Sequence, residues 1–331
     1  MTEAPRTMNA IQAINLALRD AMAADQNVIV FGEDVADPEG GGVIGVTRGL
    51  STEFGDVRVR STPIAEQAII GAAIGTALAG MKPVAEIMLM NFTAVAMDMI
   101  VNHAAKLRFM SGGQTHVPLV IRTMTGAGFS NGGQHSDFLE AWFAHTPGLK
   151  VVIPSNPADA YGLMLSCIDD EDPCLFVEPL GIYWTDGPAP VRGERVPLGK
   201  AKVVREGADV TVISYGRQVK DVLAVAEALK GEIDIEVLDL RTVAPLDDAA
   251  ILASVGKTGR AVIVHEAVKS CGVGAEISAR ITEALFSQLK APVQRVGGKF
   301  SPVPFSKPLE TAFMPSHSEI EAAVRATWVR S

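Results

Sequence analysis

The sequence predicts an α/β protein with mostly parallel sheets. Two observations carry this: helical segments alternate with apolar, β-rich runs along most of the chain, and the alternation restarts after a stretch of Pro, Gly and charge. A length of 331 residues suits two domains with full cores.

Taken in order, helix signals run from about Met8 to Ala24 and a strand covers Val28 to Phe31. An acidic, Gly-rich loop spans Glu33 to Gly45. Arg58 to Ser61 is a short strand, Pro83 to Leu89 another, and Asn91 to Met110 reads as one long helix that stops at Gly112-Gly113. Leu119 to Met124 is a strand that opens a glycine-rich loop, Gly126 to Asp137. Val151 to Pro154, the helix Pro157 to Ile168 and the strand Leu175 to Glu178 complete the first half. Residues 185–199 have no periodicity and read as a linker between domains at 1–184 and 200–331. Strands Val210–Tyr215, Ile235–Leu240 and Ala261–His265 follow. Helices at Gln218–Lys230, Leu246–Val255, Gly274–Phe286 and Ser318–Val329 make a second, smaller α/β domain.

One segment stands out. Thr62-Pro63-Ile64-Ala65-Glu66-Gln67 leads into Ala68 to Gly80, where every residue is small or uncharged. Thr62 suits a helix cap, Pro63 the first helical position and Gly80 the stop. The segment therefore predicts a buried helix with Glu66 in its first turn. A carboxylate there is costly unless something uses it. The opposing reading is a plain capping glutamate.

Bulk composition excludes several classes. A net charge of −9 argues against nucleic-acid or anionic-membrane partners, and 48% hydrophobic with 20% charged residues is ordinary for a soluble globular protein. No apolar run is long enough to span a membrane, and no targeting pattern is seen, so the expected location is a bacterial cytoplasm. Cys167, Cys174 and Cys271 form no zinc or redox pattern and read as reduced thiols.

Three motifs need weighing. Gly40 to Gly45 matches a dinucleotide fingerprint in letters, but Glu33, Asp34, Asp37 and Glu39 would repel a diphosphate, so a loop is expected. Gly128-Phe129-Ser130-Asn131-Gly132 matches a hydrolase nucleophile elbow, yet no helix is expected directly after it; Ser130 as nucleophile is a remote alternative. His135 lies in this loop, beyond the C-terminal end of a strand, where open α/β sheets bind ligands. Asp169 to Asp172 place four acids at a helix C-terminus, the unfavourable end of its dipole. Either they are solvated or a cation offsets them, and the spacing is not that of an EF-hand.

Together the segments resemble the beta subunit of the thiamine-diphosphate-dependent 2-oxoacid dehydrogenases, the transketolase-like first components of the pyruvate, branched-chain and acetoin complexes. The resemblance covers nearly the whole chain. It rests on Phe31-Gly32-Glu33-Asp34-Val35, Thr62 to Glu66, Asn91-Phe92, Ala104-Ala105-Lys106 through Gly113, Gln134-His135-Ser136, and Ala144 to Val152. Asp239-Leu240-Arg241-Thr242 and His265-Glu266-Ala267 extend it. It implies a pyrimidine-binding domain and a smaller C-terminal domain, with oxidative decarboxylation of a 2-oxoacid and acyl transfer to lipoyl groups.

The resemblance also implies roles. Glu66 would bond the aminopyrimidine of thiamine diphosphate and promote the imino tautomer that takes the thiazolium proton. Phe92 would stack on the pyrimidine beside Ile64. Glu33 would lie between the two active sites of the assembly. His135 would meet substrate and lipoyl group, donating to an oxyanion or protonating a thiolate. Val117, Leu119, Val120 and Cys167, with Asp170 and Asp172, resemble a potassium site. The family's Gly-Asp-Gly diphosphate–magnesium motif is not found. Magnesium is therefore expected on an alpha subunit, in an assembly of two alpha and two beta chains that serves a dihydrolipoyl acyltransferase core. A stand-alone transketolase or synthase would need that motif in the same chain. Gly71, Ala72, Gly75 and Ala79 permit close helix contact and are expected at a subunit interface. Asp137 stands where the family usually has Gln, and Ser61 where an aspartate is common. A carboxylate near His135 would favour imidazolium and repel an anionic 2-oxoacid, so either Asp137 points away or the substrate is unusual, for example a neutral acyloin or diketone; an acetoin-cleaving enzyme is the alternative reading.

Overall fold

The computed structural model describes residues 7–328. The chain divides into two compact units. The first takes the described residues up to Thr125 together with Trp142–Leu198; the second takes Gly126–Ala141 and the residues from Gly199 onward. The segment 126–141, which chain order assigns to the first domain, thus groups with the second unit.

In the first unit, β1 (Val28–Glu33), β2 (Val59–Thr62), β3 (Lys82–Leu89), β4 (Val120–Thr125), β5 (Lys150–Val152) and β6 (Cys174–Pro179) lie in the order β5-β6-β4-β3-β1-β2. Each neighbouring pair is parallel. Helix α1 (Ala10–Ala24) begins with a capping box: Asn9 Oδ1 accepts from the Gln12 amide at 3.0 Å, and Gln12 Oε1 from the Asn9 amide at 3.2 Å. Its buried stripe, Ala10, Ala13, Ile14, Ala17, Leu18 and Ala21, follows the helical period. Helix α2 covers Glu66–Leu78. Helix α3 (Pro157–Asp169) is capped by Asn156 and packs on α1.

The expected long helix from Asn91 to Met110 is broken into a 3-10 turn (Met90–Ala94), a π-helical stretch (Met99–Ala104) and one α turn (Leu107–Met110). Segment 185–198 is no free linker. Gly187–Pro188 pairs antiparallel with Thr7–Met8, Arg195 Nε reaches Asp169 Oδ2 at 2.9 Å, and the Gly193 amide donates to Tyr161 Oη at 2.7 Å. Every one of these contacts lies within the first unit.

Gly32 is a close-packing position. A Cβ there would stand 2.6 Å from the Glu86 carbonyl oxygen on the neighbouring strand. Gly32→Ala is expected to lower stability by about 1–3 kcal/mol through overpacking. Thermal unfolding checks it; an unchanged midpoint contradicts the close approach.

Beneath β1, β3, β4 and β6 lies a buried charge cluster that sequence reading missed. Arg122 Nη1 donates to Glu86 Oε2 at 2.6 Å, and Nε and Nη2 to Glu178 at 2.7 and 2.9 Å. Tyr183 Oη donates to the same Glu178 carboxylate. Burial, and next the charges of Glu178 and Glu86, act on Arg122, and the net direction is upward, so it stays cationic. Burial also pushes the Glu86 carboxyl up, against the pull of Arg122.

In the second unit, β7 (Lys202–Arg205), β8 (Val210–Ser214), β9 (Ile235–Asp239), β10 (Ala261–Val268) and β11 (Gln294–Gly298) lie in the order β11-β10-β8-β9-β7. All neighbours are parallel except the edge strand β7. Helices α4 (Gln218–Ala228), α5 (Asp248–Thr258), α6 (Val273–Leu285), α7 (Lys307–Phe313) and α8 (His317–Trp328) cover this sheet. The expected end of the last helix, Val329, lies outside the described residues.

Candidate active site

The first unit gathers four of the predicted residues at one edge of its sheet. Strands β3, β1 and β2 are adjacent and parallel, so their C-terminal ends emerge side by side, about 4.8 Å apart. Glu33 ends β1; Ile64 and Glu66 follow β2; Phe92 follows β3. Ligands of open α/β sheets bind beyond this edge.

Helix α2 starts later than expected. Thr62 ends β2, Ala65 is the cap residue, and Glu66 is the first helical residue. No side chain caps the helix, which leaves first-turn N–H groups facing the rim. A carboxylate at this end is favoured by about 0.3–1 kcal/mol. Gly80, at φ +90°, terminates the helix as expected.

The helix is not buried all round. Ile69, Ile70, Ala73, Ile74 and Ala77 face the core, while Ala68, Ala72, Gly75 and Ala79 are exposed. Ile64 is 75% exposed. A groove of about 400 Å³ runs along this open face, lined by Val57, Arg60, Pro63, Ala68, Ala72 and Thr76. Glu33 is partly buried, and burial, Asp34 and Glu66 all raise its carboxyl. Glu33 and Glu66 are therefore close enough to repel.

The acidic loop folds on itself rather than cradling an anion. Burial opposes ionisation of Asp37, but donors from Thr52, Gly49 and Ser51 hold it down at about 2. The Gly49 amide is thus already committed to a carboxylate.

The second unit holds His135 in a single short turn, Gly133–Ser136. The loop before it is fixed by two carboxylates. Glu266 Oε1 accepts the Ala127 amide at 2.6 Å. Glu310, buried at the start of α7, accepts the amides of Gly128, Phe129 and Ser130 at 2.7–3.2 Å. Arg217 Nη1 donates to the Ala127 carbonyl at 3.0 Å. These contacts argue against the hydrolase reading. The amides of Gly128, Phe129 and Ser130 are spent on Glu310, whose carboxylate also faces the Ser130 hydroxyl at 3.5 Å, so a carboxylate stands where an elbow would expose its nucleophile.

The predicted cation residues are drawn together in the first unit. The Val117 carbonyl accepts from Leu119, the Leu119 carbonyl from Cys174 and the Cys167 carbonyl from Asp170. The acids are already matched. Lys150 Nζ lies 2.8 Å from Asp170 and 3.3 Å from Asp172, Arg108 bonds Asp172 at 2.9 Å, and Arg195 pairs with Asp169. No cluster of three His, Cys, Asp or Glu side chains suits a metal among the described residues. No helix among them is long and apolar enough to cross a membrane.

Comparison with known proteins places the fold. Residues 6–183 match the pyrimidine-binding domain of transketolase, and residues 199–320 its C-terminal domain. A split-gene transketolase described as an inactive beta4 tetramer superposes with a TM-score of 0.75 at 21% identity, covering 98% of this chain and 99% of that one. A transketolase from Leishmania mexicana gives 0.72 at 17% identity, but this chain spans only 47% of it. Two consecutive transketolase domains define the class.

Sequence relatives narrow it. The acetoin:2,6-dichlorophenolindophenol oxidoreductase subunit beta of Cupriavidus necator is 44% identical over 324 residues, covering 95% of this chain and 96% of that protein. The 3-methyl-2-oxobutanoate dehydrogenase subunit beta of Mycobacterium tuberculosis is 44% identical over 317 residues, with 95% and 90% covered. The pyruvate dehydrogenase E1 component subunit beta of Bacillus subtilis is 44% identical over 320 residues, with 96% and 98% covered. The chain belongs to the transketolase-like family of acetoin, pyruvate and branched-chain 2-oxoacid dehydrogenase beta subunits.

Proposed function

We propose that this chain, with an alpha subunit, carries out thiamine-diphosphate-dependent oxidative decarboxylation of a 2-oxoacid and passes the acyl group to lipoyl groups of a dihydrolipoyl acyltransferase core. The observation that carries the reading is the convergence of Glu33, Ile64, Glu66 and Phe92 on one sheet edge, with an apolar groove open beside them. The chemistry of the donor set fits the pyrimidine half of the cofactor: a carboxylate for a ring nitrogen, an aromatic face and an apolar side chain. When bound, thiamine diphosphate supplies an acidic carbon that adds to the substrate carbonyl. Glu66 holds the proton at the pyrimidine nitrogen. Phe92 and Ile64 fix the ring's plane, and His135 donates to oxygen or sulfur on the substrate side.

The diphosphate and its magnesium belong to the alpha subunit in this reading, in an assembly of two alpha and two beta chains. The open face of α2, with Ala72, Gly75 and Ala79, supplies a surface on which a helix of another subunit could pack closely, while Gly71 is half-buried against Met99 of this chain. Potassium would draw on the second lone pairs of the Val117, Leu119, Val120 and Cys167 carbonyls, since Lys150 and Arg108 already balance Asp170 and Asp172.

The test is co-expression with an alpha subunit and reduction of an artificial electron acceptor across pyruvate, branched-chain 2-oxoacids and acetoin. Turnover only when both chains are present is expected; no turnover of any of them sinks the reading. Acetoin is the second reading, and Asp137 favours it. A carboxylate within about 8 Å of an anionic substrate costs it roughly 1 kcal/mol at intermediate dielectric. Asp137→Gln should therefore lower KM for 2-oxoacids about fivefold and leave acetoin unmoved. An equal change for both substrates contradicts an electrostatic role.

A further inference from the structure

Segment 126–141, which carries His135, is held within the second unit near both its ends by glutamates that no established role uses. At one end Glu266 accepts the Ala127 amide. At the other, Glu140 is part of the segment, and its Oε1 accepts from Tyr215 Oη at 2.7 Å. Both side chains are buried, Glu140 completely and Glu266 to within 4%. The second oxygen of each, Oε2, is buried with no hydrogen-bond partner among the described residues. The two carboxyls also act on one another electrostatically.

The surroundings do not neutralise them. Arg217 is the one cation acting on Glu266, and it also donates to the Ala127 carbonyl, while Asp221 and Glu310 oppose ionisation. Glu140 faces Tyr215, a neutral donor, the backbone amides of Glu140 and Ala141, also neutral, and the like charge of Glu266. His265 stacks on Tyr215 at 6.0 Å, and burial lowers its pKa to about 4, so it brings no charge at neutral pH. Gln218, on the same turn as Tyr215 and Arg217, is fully buried, with neither side-chain oxygen nor nitrogen partnered among the described residues.

Two buried carboxylates, of which only Glu266 has a cation acting on it, cannot both stay ionised cheaply. A buried carboxyl whose Oε2 has no partner among the described residues is least costly when it carries the proton and is neutral. We propose that Glu140 and Glu266 form a proton-carrying clamp that positions the His135 segment: at least one of them is protonated while the segment is docked, and ionisation of both loosens it. They are positioning residues, acting through the backbone of the loop and through Tyr215. Burial raises each carboxyl to about 7, with their mutual repulsion adding to it, so the transition falls in the working range of an enzyme. Protons move between solvent and Oε2 only; no bond to carbon is made or broken. The inference rests on the proposed role of His135 for its functional meaning, but not for its test.

Hydrogen exchange of the peptide covering 126–141, in the assembled two-subunit enzyme and corrected for the intrinsic pH dependence of exchange, reads the clamp without turnover. The wild type should exchange about tenfold faster at pH 8.5 than at pH 6, the factor equivalent to one pKa unit of coupling. Glu140→Gln and Glu266→Gln each keep a hydrogen-bonding carbonyl oxygen but cannot ionise, so both should lose that acceleration. In the kcat–pH profile the alkaline decline of the wild type should shrink in the same two variants. Wild-type exchange that ignores pH, or a variant that retains the acceleration, overturns the proposal. If Glu140→Gln does not fold, Glu266→Gln decides alone. An enzyme that turns over no tested substrate yet shows the pH-dependent exchange refutes the assigned reaction and leaves the clamp standing.

Discussion

Glu66→Gln is expected to reduce kcat by at least two orders of magnitude while the protein still assembles with its partner. General acid–base roles of a positioned side chain contribute typically 10²–10⁴-fold, and an amide cannot hold the proton that the carboxylate would share with the pyrimidine ring. The same replacement is nearly isosteric. Glu66 is the first residue of α2, partly exposed, and makes no buried ion pair, so the helix loses at most the dipole interaction of about 1 kcal/mol. Steady-state kinetics with size-exclusion chromatography separates the outcomes. Retention of more than a tenth of the activity would reduce Glu66 to a capping residue.

Arg122→Met is expected to have the largest effect on stability. It strips the counter-charge from Glu86 and Glu178, which lie 2.6–2.9 Å from the guanidinium and are almost fully buried. Breaking such a pair costs roughly 3–5 kcal/mol, because the remaining carboxylates are buried with no counter-charge and only the neutral Tyr183 hydroxyl on Glu178. The sign with pH follows. Glu86 already has its carboxyl raised by burial, and without Arg122 the folded state favours the neutral acid further. A group whose folded pKa lies above its unfolded value contributes stability below the unfolded pKa and loses it as pH rises through the folded one. The deficit of Arg122→Met should therefore be smaller at pH 5 than at pH 8. Denaturant melts at the two pH values check this; equal midpoints for variant and parent at pH 8 would mean the cluster is hydrated.

The parallel architecture was legible because strands such as Val120–Thr125 and Cys174–Pro179 are buried at every position and read as mostly apolar or β-branched runs, each with one charged residue in it. Those same runs hid Arg122, Glu86 and Glu178. A buried charge looks like a strand-edge charge until neighbouring strands are in register, and register is a long-range property. Asn91–Met110 reads as one helix because its apolar spacing is helical, but the backbone changes pitch twice within it, which periodicity does not resolve. Thr62 and Pro63 carry cap letters, yet pairing of Thr62 with Glu33 keeps Thr62 in the strand, and the helix begins only at Glu66. Among the rim residues, Glu66 stands out from its own segment, whereas Glu33, Ile64 and Phe92 enter only through the family resemblance; by themselves Ile64 and Phe92 read as core and Glu33 as a loop acid. Glu140, Glu266 and Glu310 were not singled out as site residues. Glu266 lies some 140 residues from the amide it holds and Glu310 some 180, and no spacing rule spans such gaps.

The grouping of residues 126–141 with the second unit bears on how such a chain can be recombined. A fragment cut at residue 199 and made alone would carry Tyr215, Glu266 and Glu310 but lack the backbone amides and the carboxylate they hold. Each would become a buried polar group with nothing to bind. A C-terminal half should therefore fold more stably when the short internal segment is fused to it than when it is made alone. The units of inheritance in this chain are interleaved rather than consecutive.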